Sequence, residues 1–155
     1  MKSLLPTVQH SGCHVVELHY IRPLFETMTF IGCSQDAFDL LTSFVNPNRI
    51  DLKEFFFVLL LTNANRVLCT AQVASGTARG VVTNPKEMLQ LALLTHSSSL
   101  IMAHNHPSGT LKPSVSDLKF TKEMNKACKL LDITLLDHLI FTSESFYSFS
   151  DNGSL

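Results

Sequence analysis

Residues 100–118 read LIMAHNHPSGTLKPSVSDL. An apolar run, Leu100 to Ala103, delivers the chain to His104-Asn105-His106, and Pro107, Gly109 and Pro113 then force a turn. Asp117 follows eleven residues after His106. Side chains at i and i+2 of a strand end point the same way, so His104 and His106 can share one ligand. Ser114 ahead of Val115, Ser116 and Asp117 reads as a helix start, with Asp117 in the first turn facing back toward the histidines. Two imidazoles and a carboxylate form the donor inventory of a zinc site that keeps one position open for water.

Each piece has an ordinary reading of its own. A single histidine is more often a core or surface residue than a ligand. Ser-x-x-Asp is close to a helix capping signature and by itself carries no chemistry. Two further patterns fail on residue content. The letters His-Asn-His name a nuclease class, but three adjacent residues do not define it. A zinc deaminase needs His-x-Glu and Cys-x-x-Cys, and the cysteines here stand apart at 13, 33, 69 and 128.

Taken jointly, His-x-His-Pro-x-Gly followed by Ser-x-x-Asp resembles the JAMM (JAB, MPN-plus) metalloprotease motif. HNHPSG at 104–109 and DHLI at 137–140 resemble its bacterial RadC-like branch over roughly residues 35–150. The resemblance implies Zn2+ held by His104, His106 and Asp117, and an oxyanion role for Ser114. It also implies a glutamate general base at the edge of the strand beside the metal strand. Only Glu54 has that placement, although a lone Glu there otherwise marks a strand end. His138 is the remaining candidate for a residue supporting the ligands, against the alternative of a buried histidine bonded to backbone.

The chain has 155 residues, 45% of them hydrophobic, with eleven Phe, enough for one real core. Expected boundaries are an N-terminal extension and strand region at 1–33 and a RadC-like JAB domain at 34–155. Net charge is −1 and the pI is near 6.6, so no basic excess asks for nucleic acid. Scattered cysteines read as buried thiols in a reducing compartment. The longest apolar run, Phe55 to Leu61, is too short for a membrane span. MKSLLPTVQHSG lacks a signal-peptide core, and the expected location is the cytoplasm.

In order, strands are expected at 13–21 and 24–31, with His14 and His19 structural or exposed. A helix capped by Ser34 follows, ending near Asn46-Pro47. Glu54 leads into a strand buried on both faces, and Asn63-Ala64-Asn65 turns it into a partner at 66–73. A loop at 74–80 and a short strand at 81–83 come next. Asn84-Pro85-Lys86-Glu87 opens a helix that is apolar nearly all round, with His96 at its C-terminal end. A strand at 99–103 feeds the metal loop. A helix at about 115–131 has a core stripe of Leu118, Thr121, Met124, Cys128 and Leu131, and an outer face with Lys119, Lys122, Lys126 and Lys129. Strands at 133–142 and 146–149 complete the chain. This order predicts an α/β sandwich with a mixed sheet and flanking helices, in agreement with the JAMM/MPN, cytidine-deaminase-like architecture of the family resembled.

Three functions are open at this level. The first is a zinc-dependent peptidase or isopeptidase acting on an unidentified peptide or protein. The second is a metal-dependent hydrolase or nuclease-like accessory factor linked to DNA repair, as the family name suggests. The third is a non-catalytic JAMM-fold binding module. A phosphodiesterase asks for a second metal or a basic groove, neither of which is visible. Binding modules on this fold have usually lost ligand residues, whereas all are present here. Longer RadC proteins carry a helix-hairpin-helix segment typical of DNA contact. Only about 35 residues precede the first helix here, without a Gly-rich hairpin, so the DNA link is not expected to apply. The loop 74–80 is the expected substrate-recognition element.

Overall fold

The computed structural model describes residues 19–77, 80 and 82–155. Five strands form one mixed sheet in the order β2-β1-β3-β4-β5, with β1 at Phe55–Leu61, β2 at Val67–Ser75, β3 at Ser99–Asn105, β4 at Thr134–Phe141 and β5 at Phe146–Ser148. Helices α1 (Ser34–Phe44), α2 (Pro85–Leu94) and α3 (Val115–Leu130) cover its two faces. The predicted α/β sandwich with a mixed sheet is the fold observed.

The central strands explain the two layers. All seven residues of β1 are buried, and their period of two sends them to opposite sides. Phe55, Phe57, Leu59 and Leu61 join Ala37 and Leu41 of α1 in one core. Phe56, Val58 and Leu60 join Met88 and Ala92 of α2 and Met124 and Cys128 of α3 in the other. Each large side chain so buried contributes about 1.5–3 kcal/mol before entropy is counted. β1 runs antiparallel to both β2 and β3, with Phe56 opposite His104. β3 and β4 are parallel, which requires a crossover, and α3 supplies it.

Several local expectations are corrected. Residues 13–18 of the first expected strand lie outside the described residues, and 19–21 have no regular structure. Residues 24–31 do not form a strand. Phe25–Thr27 is a 3-10 turn closed by the Thr27 hydroxyl on the Leu24 carbonyl, and only Phe30 bridges to Arg66. The cap of α1 is Cys33, one residue before Ser34, because the Asp36 carboxylate accepts from the Gly32 and Cys33 amides. β2 runs on through Ala74 and Ser75, residues expected in a loop. No strand occurs at Val82 or Thr83, and Val81 is outside the described residues.

Asn84 caps α2 as expected, its side chain accepting from the Lys86 amide with Pro85 at the first position. Only Met88 and Ala92 are buried, however, and Leu93 and Leu94 are half exposed, because one side of the helix meets the sheet. His96 lies beyond the helix end with φ of 50°. In α3 the stripe buries Thr121, Met124 and Cys128 but leaves Leu118 and Leu131 exposed. The four lysines do face solvent. Of the described cysteines only Cys128 is buried; Cys33 is exposed and Cys69 intermediate.

Candidate metal centre

His104 is the penultimate residue of β3 and His106 follows the strand directly. The turn at Pro107–Gly109 and the start of α3 then return Asp117 to the same point. Here Ser114 caps the helix in a reciprocal box: its hydroxyl accepts from the Asp117 amide at 3.1 Å, and the Asp117 carboxylate accepts from the Ser114 amide at 2.7 Å. The expected capping signature therefore also orients the carboxylate.

The donors converge. His104 Nε2 lies 3.0 Å from His106 Nε2 and 3.4 Å from Asp117 Oδ1, and His106 Nε2 lies 3.8 Å from Asp117 Oδ2. One ligand atom from each of the three residues fits within 4.8 Å of the others. His106 Nδ1 sits 2.6 Å from the Thr110 carbonyl, which can only accept, so Nδ1 carries the proton and Nε2 presents a lone pair. His104 is 1% exposed, and burial pushes its pKa down to about 4 against the opposing pull of Asp117. Lone pairs on both Nε2 atoms and on the carboxylate repel at this spacing, and either a proton on one imidazole or a cation between the three relieves them. The donor set fits a divalent metal of the zinc type.

Glu54 comes from the adjacent strand. It directly precedes β1, and the β1–β3 register that sets Phe56 against His104 brings Glu54 Oε1 to 4.0 Å from His104 Nε2. Burial, and then the Asp117 charge, raise its pKa to about 7. A carboxyl group poised there can take up and return a proton near neutrality. Ser114 is exposed, and its hydroxyl lies 2.6 Å from Asp117 Oδ2 and 2.8 Å from Ser116 Oγ. Glu54, His106, Ser114, Ser116 and Asp117 line one open cleft of about 550 Å³, whose wall also carries Gly80, Val82 and Thr83. The wall residues extend past the loop 74–80 on its C-terminal side.

Behind the ligands lies a second layer. His104 Nδ1 is 2.9 Å from His138 Nε2, and His138 Nδ1 is 2.6 Å from the Thr121 hydroxyl. His138 is fully buried, and burial with the neighbouring His104 and His106 holds it well below the ordinary histidine pKa. Its partners are side chains, not the backbone groups weighed as the alternative. Phe56 stacks on the His104 ring at 5.4 Å and Phe149 on His138 at 4.8 Å.

Two contributors were missed from the sequence. Asn105, between the histidines, turns to the other face and accepts from the Phe55 amide at 2.7 Å. It donates to the Ile50 and Lys53 carbonyls at 2.6 and 3.0 Å, clamping the chain that carries Glu54. Thr121 belongs to the core stripe of α3, where its hydroxyl in an otherwise apolar row is the one sequence signal for this contact.

A family model described as the RadC-like JAB domain matches residues 31–154. A UPF0758 protein of Flavobacterium johnsoniae is 38% identical over 125 residues, covering 79% of this chain and 52% of the relative. Another, from Coxiella burnetii, is 34% identical over 140 residues, covering 90% of this chain and 61% of the relative. The chain thus spans little more than half the length of the curated relatives it matches.

Proposed function

Because the chain belongs to the RadC-like JAB domain family, we propose that it is a zinc-dependent hydrolase that cleaves a peptide or isopeptide bond. The catalytic unit spans 34–155, following an extension at 1–33. His104, His106 and Asp117 hold the ion, Glu54 is the general base and Ser114 assists the oxyanion. The observation that carries this reading is the meeting of three donor side chains with a second carboxylate, Glu54, whose Oε1 lies 4.0 Å from His104 Nε2 on an open cleft.

Zinc held by these donors supplies a Lewis acid and makes a water acidic near neutral pH. Glu54 takes the proton of the attacking water and passes it to the departing nitrogen, which leaves poorly until protonated. The Asn105 clamp and the β1–β3 register hold that carboxylate in place. Ser114, on the cleft wall, turns the hydroxyl proton it gives to Asp117 toward the developing oxyanion. The substrate lies between the start of α3 and Gly80, Val82 and Thr83. The near-neutral pI fits a peptide or protein substrate better than nucleic acid. The three described cysteines are free, which fits the cytoplasm, and no described helix is long and apolar enough to cross a membrane.

The test is Glu54→Gln, which keeps size and hydrogen bonding but removes basicity. Hydrolysis of a peptide or isopeptide substrate that the wild type cleaves should fall roughly 100- to 10,000-fold, with zinc content and melting temperature unchanged. Wild-type hydrolysis in Glu54→Gln makes Glu54 a strand-end charge only; loss of zinc makes it a ligand or support and overturns this mechanism.

A further inference from the structure

The buried contacts behind His104 form an unbroken line of hydrogen bonds whose direction is fixed at one end. The Asp117 backbone carbonyl can only accept, and the Thr121 hydroxyl lies 2.7 Å from it. Thr121 therefore donates there, and its oxygen is left to accept from His138 Nδ1 at 2.6 Å. A neutral imidazole has one N–H and one lone pair. With its proton on Nδ1, His138 offers the lone pair of Nε2 to His104 Nδ1 at 2.9 Å. His104 must then carry its proton on Nδ1, which leaves the lone pair of Nε2 facing His106 and Asp117.

Reversing every bond is the other possibility. It would leave the Thr121 and Asp117 oxygens 2.7 Å apart with no proton between them. It would also put a proton on His104 Nε2, where a metal has to bind. All three members of the line are buried: Thr121 is 2% exposed, His138 0% and His104 1%. No solvent can replace a missing partner. The line also begins and ends on metal-site residues, since Asp117 contributes the carbonyl that sets the direction and the carboxylate that His104 faces.

We propose that Thr121 and His138 are positioning residues that lock His104 in the Nδ1-protonated tautomer and so prepare its Nε2 to bind the ion, an inference that rests on the metal-site reading above. Neither touches the substrate or the ion. Their part is to remove the choice between two tautomers before the metal arrives, as outer partners of ligating histidines do.

The experiment is nitrogen-15 NMR of the histidine rings in metal-free protein, with zinc affinity measured by chelator competition. In the wild type His104 should be protonated on Nδ1. In Thr121→Val, which keeps the shape but lacks the hydroxyl, it should shift toward Nε2 protonation, and zinc should bind 10- to 100-fold more weakly. Thr121→Ser should restore both. Nε2 protonation of His104 in the wild type overturns the proposal, as does a Thr121→Val protein with the wild-type tautomer and affinity. If Thr121→Val does not fold, His138→Gln and His138→Met make the comparison. The Gln carbonyl accepts strongly from His104 and the Met thioether only weakly, so Gln should bind zinc at least 10-fold more tightly, and equal affinities overturn the proposal. The outcome is separable from the peptidase reading. Zinc binding through this line without peptide cleavage removes only that reading, and an unaltered Thr121→Val removes only this one.

Discussion

Asn105 places one small amide where three backbone groups from another part of the chain need partners. The Ile50 and Lys53 carbonyls and the Phe55 amide all bond to its side chain, which is fully buried. In Asn105→Ala all three lose their partner, the Ile50 carbonyl and Phe55 amide in buried surroundings and the Lys53 carbonyl in partly buried ones, and each buried group left unpaired costs on the order of 1 kcal/mol or more. Urea denaturation should show a loss of about 2–4 kcal/mol. A loss within 0.5 kcal/mol, the range of about ±0.5 kcal/mol expected for a neutral surface change, would mean that water replaces the clamp. Asn105 thus works on the side of β3 opposite the histidines that flank it, holding the residues just before Glu54.

At the scale of elements, α3 is the part that joins fold to chemistry. Its N-terminus caps itself through Ser114 and Asp117, its second turn supplies Thr121, and its body packs Met124 and Cys128 into the core. Ser114→Ala removes the hydroxyl that accepts from the Asp117 amide and donates to the Asp117 carboxylate. It should lower stability by about 1 kcal/mol, and zinc affinity should fall with it because the carboxylate loses a fixed partner. Unchanged calorimetric stability would show that solvent caps the helix equally well. The three donors of the site were legible because they fall within fourteen residues, 104–117, at spacings that strand and helix geometry translate directly. β1 and α2 were legible for the same reason: an unbroken apolar run and an Asn-Pro start are local signals. Thr121, and the side chain to which His138 bonds, were not legible, because they meet only after the crossover makes β3 and β4 parallel. Residues 24–31 misled because Phe and Thr favour strands, while a local hydroxyl-to-carbonyl bond closed a turn instead. Leu93, Leu94, Leu118 and Leu131 misled because a helix can be apolar beyond the face its sheet covers.

For the molecule as a whole, the core beneath α2 and α3 titrates at high pH. Burial pushes the Cys128 thiol from its ordinary 9.0 up to about 11. Below pH 9 both folded and unfolded chains hold the proton, and Cys128 adds no pH dependence. Between about 9 and 11 the unfolded chain releases it while the folded chain keeps it, so stability falls as pH rises, by at most about 1.4 kcal/mol per pH unit. Urea denaturation at pH 8 and pH 10 should show the wild type losing about 1 kcal/mol more than Cys128→Ala over that interval. Equal losses would mean that the thiol ionises in the fold as easily as in the open chain.

One meeting of atoms underlies the proposed chemistry: two imidazole nitrogens and a carboxylate brought together by β3 and α3. Elemental analysis of metal-replete protein, after removal of loosely bound ions, tests it most directly. The wild type should hold about one zinc per chain, and His104→Ala or Asp117→Ala almost none. The variants should also melt at lower temperature than the zinc-loaded wild type, by the linkage between binding and folding. Equal zinc in all three proteins, or none in a well-folded wild type, would contradict it.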